Sequence, residues 1–230
     1  MRPATRKLIL TTSTLYNVWA QATFKPDIHV DIESILGGRF RDLTRAHMML
    51  YLVQPERLEI IFIAGLNNIG EGQSVTDILD EIYELRLSVK AHTTMYNHSP
   101  PSVISISTLL YAPKLCSLDV PTAFPEWLPP PGFRNRRRDM ECLNSGIAAV
   151  NKGSGVNYLK LHYEGVRIDP KTKKIMHKHN PAKPVWRELD IRKRLHLTHE
   201  NKVKVAYQAT NLFKGGLTNL GCWDRNMPRL

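Results

Sequence analysis

The stretch Leu58-Glu-Ile-Ile-Phe-Ile-Ala64 constrains the fold more than any other part of this chain. A strand with one wet face alternates apolar and polar residues. This one is apolar at nearly every position, as expected of a strand in a parallel sheet covered on both faces. Parallel strands cannot be joined by tight hairpins, so helices have to alternate with them. The residues that follow agree. Gly65-Leu-Asn-Asn-Ile-Gly-Glu-Gly72 reads as a glycine-rich loop. Ser74, with Asp77 after it, makes a capping-box-like start for a helix with the apolar stripe Val75, Ile78, Leu79, Ile82, Leu85 and Val89.

The same alternation recurs along the chain. Leu8 to Leu10 reads as a short buried strand, and Ile28-His-Val-Asp-Ile32 as a second one. After Gly37-Gly38 the period turns helical, with Phe40, Leu43, Met49 and Leu50 on one face. Val103 to Leu110 is a fourth strand, Asn135 to Asn151 a helix with Met140, Leu143, Ile147 and Val150 on one face, and Tyr158 to His162 a fifth strand. Val166 to Met176 reads as a hairpin around Asp169-Pro-Lys-Thr172, and Thr198 caps a last helix with Val203, Ala206, Tyr207 and Phe213. The expected fold class is α/β: a three-layer α/β/α sandwich, flavodoxin-like, on a central, mainly parallel five-stranded sheet. At 230 residues and 42% hydrophobic composition the default is one domain over 1–230, with a Pro-rich insertion at about 112–133 and a basic C-terminal part.

Lys and Arg number 32 against 21 Asp and Glu, a net charge of +11, which suits acidic partners, nucleic acid among them. Arg134, Arg136, Arg137 and Arg138 beside Phe133 and Trp127 are candidate phosphate contacts, or else a solvated helix start. Cys116, Cys142 and Cys222 are too widely spaced for a zinc site or a disulfide framework, which suits a reducing compartment. His177 and His179 have strand-ligand spacing but no third ligand nearby, so no metal site is read. No run reaches the roughly 20 apolar residues of a membrane span, and the apolar part of the N-terminus is too short for a signal peptide. The expected location is therefore intracellular, cytoplasmic or nuclear.

In open α/β sheets ligands bind at the carboxyl ends of the strands, near a topological switch point. That edge collects Ser13, Gly37 with Gly38, Asn67 with Asn68, and His196 or His199 before the last helix. These types are complementary. A hydroxyl nucleophile needs a base such as His, and a tetrahedral oxyanion needs fixed donors, which a glycine N–H and an Asn amide supply. Taken alone, Ser13 can equally be a helix N-cap, Asn67 a left-handed turn residue and Gly37 a positive-φ position.

Four blocks carry a resemblance to the SGNH, or GDSL-type, serine hydrolases: Leu10-Thr-Thr-Ser-Thr-Leu15, Ser34-Ile-Leu-Gly-Gly-Arg-Phe-Arg-Asp-Leu43, Ala64-Gly-Leu-Asn-Asn68 and Leu195-His-Leu-Thr198. The resemblance implies an esterase acting on a small ester or acylated substrate, by analogy an acetyl ester, without a cofactor. Ser13 would be the nucleophile, His196 the base, and Gly37 and Asn67 oxyanion donors.

The chain departs from the family pattern at several points. Thr11-Thr12 precede Ser13 where the family has Gly-Asp, and Asn68 stands where the third block has Asp. Lys193 occupies the position of the Asp that orients the histidine. Loss of that carboxylate from a triad costs on the order of 10⁴ in rate. Asp190 or Glu188 are candidate third members, and Glu200 is a further one, though none has the family spacing. The alternative is a catalytically impaired SGNH-like domain acting as a basic nucleic-acid- or protein-binding module. Similar domains occur in proteins encoded by mobile genetic elements.

Overall fold

The computed structural model describes residues 5–16, 18, 28–109, 136–161, 167–168, 175–176 and 199–218. Four strands, β1 (Thr5–Thr11), β2 (Asp31–Ser34), β3 (Arg57–Ile63) and β4 (Val103–Ile106), form one parallel sheet in the order β2-β1-β3-β4. Helix α1 (Phe40–Leu50) links β2 to β3, and α2 (Leu66–Glu71) with α3 (Val75–Met95) links β3 to β4. Helices α4 (Arg137–Gly153) and α5 (His199–Gly215) come later in the chain. A short 3-10 turn, Ser13–Leu15, follows β1 directly. The expected hairpin is present as an antiparallel pair, β5 (Arg167–Ile168) with β6 (Ile175–Met176).

Successive strand residues face opposite layers, which explains why β3 tolerates almost no polar position. Leu8, Leu10, Ile60, Phe62 and Ile106 pack with Phe40 and Leu43 of α1, Ile78, Ile82 and Leu85 of α3, and Met140 and Leu143 of α4. Ile9, Ile61, Ile63 and Val103 face the other way. They pack with Leu15 of the 3-10 turn and with Val205, Ala206, Ala209 and Phe213 of α5. The result is the expected α/β/α layering. Each fully buried Leu, Ile or Phe contributes about 1.5–3 kcal/mol, so the two cores dominate every surface pairing described below.

Helix α3 starts as its capping pattern requires: the Ser74 hydroxyl accepts from the Asp77 amide at 3.1 Å. The two polar residues at the start of β3 are accommodated as a pair. Arg57 Nη1 donates to Glu59 at 2.7 Å, with both side chains about nine-tenths buried.

Several expectations are corrected. The sheet has four strands among the described residues rather than five. Residues 158–161 do run beside the end of β4, where the Thr108 amide donates to the Leu159 carbonyl at 3.0 Å, but they form no ladder. Side-chain amides of α4 occupy much of that edge. Asn151 accepts from the Ile106 amide at 3.1 Å and donates to its carbonyl at 2.8 Å, and Asn144 does the same at Leu109, at 2.6 and 3.2 Å.

The second strand runs Asp31–Ser34, three residues beyond the expected Ile28 start. Helix α1 buries Phe40, Leu43 and His47, while Met49 and Leu50 are exposed. In α5, Tyr207 is exposed and Ala209 takes the buried place. A helix also forms inside the segment expected to be a glycine loop, bounded by left-handed Gly65 and Gly72 at φ +111° and +91°. The Pro-rich stretch and His162 lie outside the described residues.

Candidate active site

Strand register brings the predicted turns together. Thr11, the last residue of β1, pairs with Ser34 at the end of β2 and with Ile63 at the end of β3. Three strands therefore finish flush, and the turns leaving them sit side by side. In the order β2-β1-β3-β4 the chain moves outward from β1 to β2 and then crosses back to β3. The switch point thus lies between β1 and β3, which carry Ser13 and Asn67.

The hydroxyl run after β1 has a structural explanation for its threonines. Thr11, Thr12 and Thr14 are buried, and the Thr11 hydroxyl donates to the Ile63 carbonyl at 3.2 Å. The Thr12 amide bonds the same carbonyl at 3.2 Å. The Thr11 hydroxyl and the Thr12 amide thus tie the end of β1 to the end of β3, and the backbone then enters the 3-10 turn at Ser13.

The second turn needs both its glycines, for different reasons. Residues 35–38 close a β-turn in which the Gly38 amide donates to the Ile35 carbonyl at 3.2 Å. Gly37 sits at its third position at φ +66°, in the left-handed region. A Cβ on Gly38 would lie 2.9 Å from Ile35 Cγ2, whereas one on Gly37 would meet nothing within 4 Å. With the Gly38 N–H used inside the turn, the Gly37 N–H has no partner among the described residues.

Asn67, in the first turn of α2, donates one amide hydrogen to the Gly38 carbonyl at 2.7 Å. An Asn amide carries two donors; the second has no partner among the described residues, and the side chain is only half-buried. The neighbouring Asn68 is fully buried. It accepts from the Phe40 amide at 2.9 Å and donates to Gln73 Oε1 at 2.6 Å, and Gln73 in turn donates to Glu81 at 2.8 Å. This cap on α1 is a role the sequence did not reveal, because its partner is 28 residues away.

Around the turns, Arg39 pairs with Glu71 at 2.9 Å and with Asp42 at 3.7 Å. Arg136 pairs with Asp139 at 3.3 Å and lies against Gly72, so it acts as a strut between α4 and α2. Arg138 is exposed. Helix α5 reaches the chain just after the Ser13–Leu15 turn from the other layer: Lys202 Nζ donates to the Tyr16 carbonyl at 3.1 Å. His196, Asp190, Glu188, Lys193 and Arg134, and the side chains of Ser13, Arg137 and Glu200, lie outside the described residues. Among the described residues no group of three or more His, Cys, Asp or Glu is arranged to hold a metal, and no helix is long and apolar enough to cross a membrane.

No family model matches the chain, and no curated protein matches it by sequence. Solved structures do match its fold. A GDSL-like lipase from Bacteroides thetaiotaomicron superposes with a TM-score of 0.61 at 15% identity, over 91% of this chain and 88% of that one. A member of the lipolytic G-D-S-L family from Veillonella parvula gives 0.55 at 11%, over 92% and 99%. A variant of an acetyl-xylooligosaccharide esterase from Geobacillus gives 0.54 at 14%, over 99% and 100%. The fold is therefore that of the SGNH, or GDSL-like, hydrolases, as the four sequence blocks imply.

Proposed function

We propose that this chain is an SGNH-like serine esterase acting on carboxylic esters, with small acyl groups such as acetyl as the first candidates. The Ser13 oxygen attacks the ester carbonyl while His196 takes its proton. The oxyanion that forms is held by the Gly37 N–H and the second amide hydrogen of Asn67. Collapse breaks the bond to the alcohol, which leaves with the proton from His196, and water then releases the acyl group by the same route. The observation that carries this reading is a pair of donors without a partner among the described residues, Gly37 N–H and one Asn67 hydrogen, on turns flanking the turn that begins at Ser13. His196 stands three residues before α5, whose first turns contact Tyr16 beside that site. That a GDSL-like lipase and a variant of an acetyl-xylooligosaccharide esterase share this fold supports the reading. A fluorophosphonate probe should label the wild-type protein and not Ser13→Ala; an unlabelled but folded wild type would sink the proposal.

A second reading is favoured by Lys193 and by the net charge of +11: an impaired SGNH-like domain that binds nucleic acid through its basic second half. It requires affinity for single-stranded nucleic acid that falls steeply as salt is raised. Salt-independent binding, or none, rejects it.

A further inference from the structure

Asn67 and Asn68 are neighbours, yet they hold two different points of one segment. Asn67 donates to the Gly38 carbonyl, and Asn68 accepts from the Phe40 amide two residues on. Phe40 is the first residue of α1, so its N–H has no acceptor within the helix. The segment that follows Gly37 is therefore fastened at both ends to the start of α2, which carries the Asn67 amide.

The chain of side chains behind Asn68 has only one possible polarity. A peptide N–H can only donate, so Asn68 must turn Oδ1 toward Phe40 and Nδ2 toward Gln73. An ionised carboxylate can only accept, so Gln73 must turn Nε2 toward Glu81 and Oε1 toward Asn68. Both amide orientations are thus fixed from opposite ends.

An aspartate at 68, the residue the GDSL-type block leads one to expect, would break this polarity. It would accept from Phe40 equally well but present a second acceptor to Gln73 Oε1. Gln73 would have to turn over, which sets its Oε1 against the Glu81 carboxylate. Glu81 gains nothing by turning, because its Oε2 is an acceptor too and is already buried without a hydrogen-bond partner among the described residues. At this part-buried contact an acceptor facing an acceptor loses the bond and keeps part of the desolvation cost.

We propose that Asn68, oriented by Gln73 and Glu81, is a positioning residue that sets the separation of the two oxyanion donors, and that Glu81 dictates an amide rather than a carboxylate at 68. The proposal rests on the reading of Gly37 and Asn67 as oxyanion donors.

The test is a cycle of Asn68→Asp, Glu81→Gln and the double variant, assayed for kcat and KM on p-nitrophenyl acetate and for unfolding in urea. Asn68→Asp should lower kcat at least about 10-fold with KM changed less than about 2-fold, since donors displaced by a fraction of an ångström still admit substrate. Adding Glu81→Gln should restore kcat to within about 3-fold of wild type, because a glutamine at 81 can donate to the turned Gln73. Glu81→Gln alone should be near wild type. Equal kcat for Asn68→Asp and wild type, or a double variant no better than the single one, overturns the proposal. A wild type without ester turnover overturns the positioning role together with the reading it rests on. The unfolding cycle then shows separately whether the clamp itself exists, through restored stability in the double variant.

Discussion

Acid should destabilise this protein through one histidine that the fold buries. His47 is fully inaccessible in α1, stacked on Tyr51 and edge-on to Phe62, and neither ring nitrogen has a hydrogen-bond partner among the described residues. Burial, and after it the charge of His92 on α3, lowers its pKa from 6.5 to about 4. The sign follows directly. The unfolded chain takes up the proton near pH 6.5 and the folded chain only near 4, so stability is full above that window and falls as pH drops through it. At about 1.4 kcal/mol per pKa unit, the loss approaches roughly 2.5 kcal/mol by about pH 4.5 and about 3.4 kcal/mol below pH 4.

The assay is urea unfolding of wild type and His47→Leu at half-unit steps from about pH 8 to 4, with the difference between the two curves as the readout. His98 is also held below its ordinary value, by burial first and then by His92 and Arg57, but it is present in both proteins and cancels. The variant should be at least as stable as wild type at neutral pH and gain about 2 kcal/mol on it between pH 7 and 4.5. Parallel curves across that range would refute the argument that His47 is buried uncharged.

Three further outcomes are expected. Asn67→Ala should cut kcat by about 10²–10³ if the free amide hydrogen stabilises an oxyanion, measured on an ester substrate with KM nearly constant. Arg57→Met should cost about 3–5 kcal/mol in urea unfolding because it strands Glu59, and Glu59→Leu in the same chain should recover most of that. Gly37→Ala should cost about 1–2 kcal/mol from its positive φ alone, while Gly38→Ala should cost more, because its Cβ would press on Ile35 at 2.9 Å; thermal unfolding would rank them.

The elements legible in the sequence are those whose burial is one-sided in pattern or complete. β3 was readable because both of its faces are covered, and α3 because Ile78, Ile82, Leu85 and Val89 recur at helical spacing behind a capping serine. The rest depended on contacts between distant residues. α1 buries His47 where a hydropathy reading chooses Met49, because the aromatic ring packs on Phe62. Tyr158 to Leu161 is apolar enough for a fifth strand. Asn144 and Asn151, remote in sequence from β4, nevertheless fill backbone positions along that edge. At the site, the positions of Ser13, Gly37 and Asn67 followed from the rule about strand ends. The Asn68 cap did not, because nothing local marks an asparagine as the partner of an amide 28 residues earlier.

The central claim is that Ser13 becomes acylated beside two waiting donors. Rapid mixing with p-nitrophenyl acetate, followed by acid quenching and peptide mass mapping, tests it most directly. The expected result is a burst of nitrophenol release with a single acetyl group on the peptide containing Ser13, absent in Ser13→Ala. Nitrophenol release with no acyl-peptide at Ser13, or a folded protein that releases none, would contradict the account.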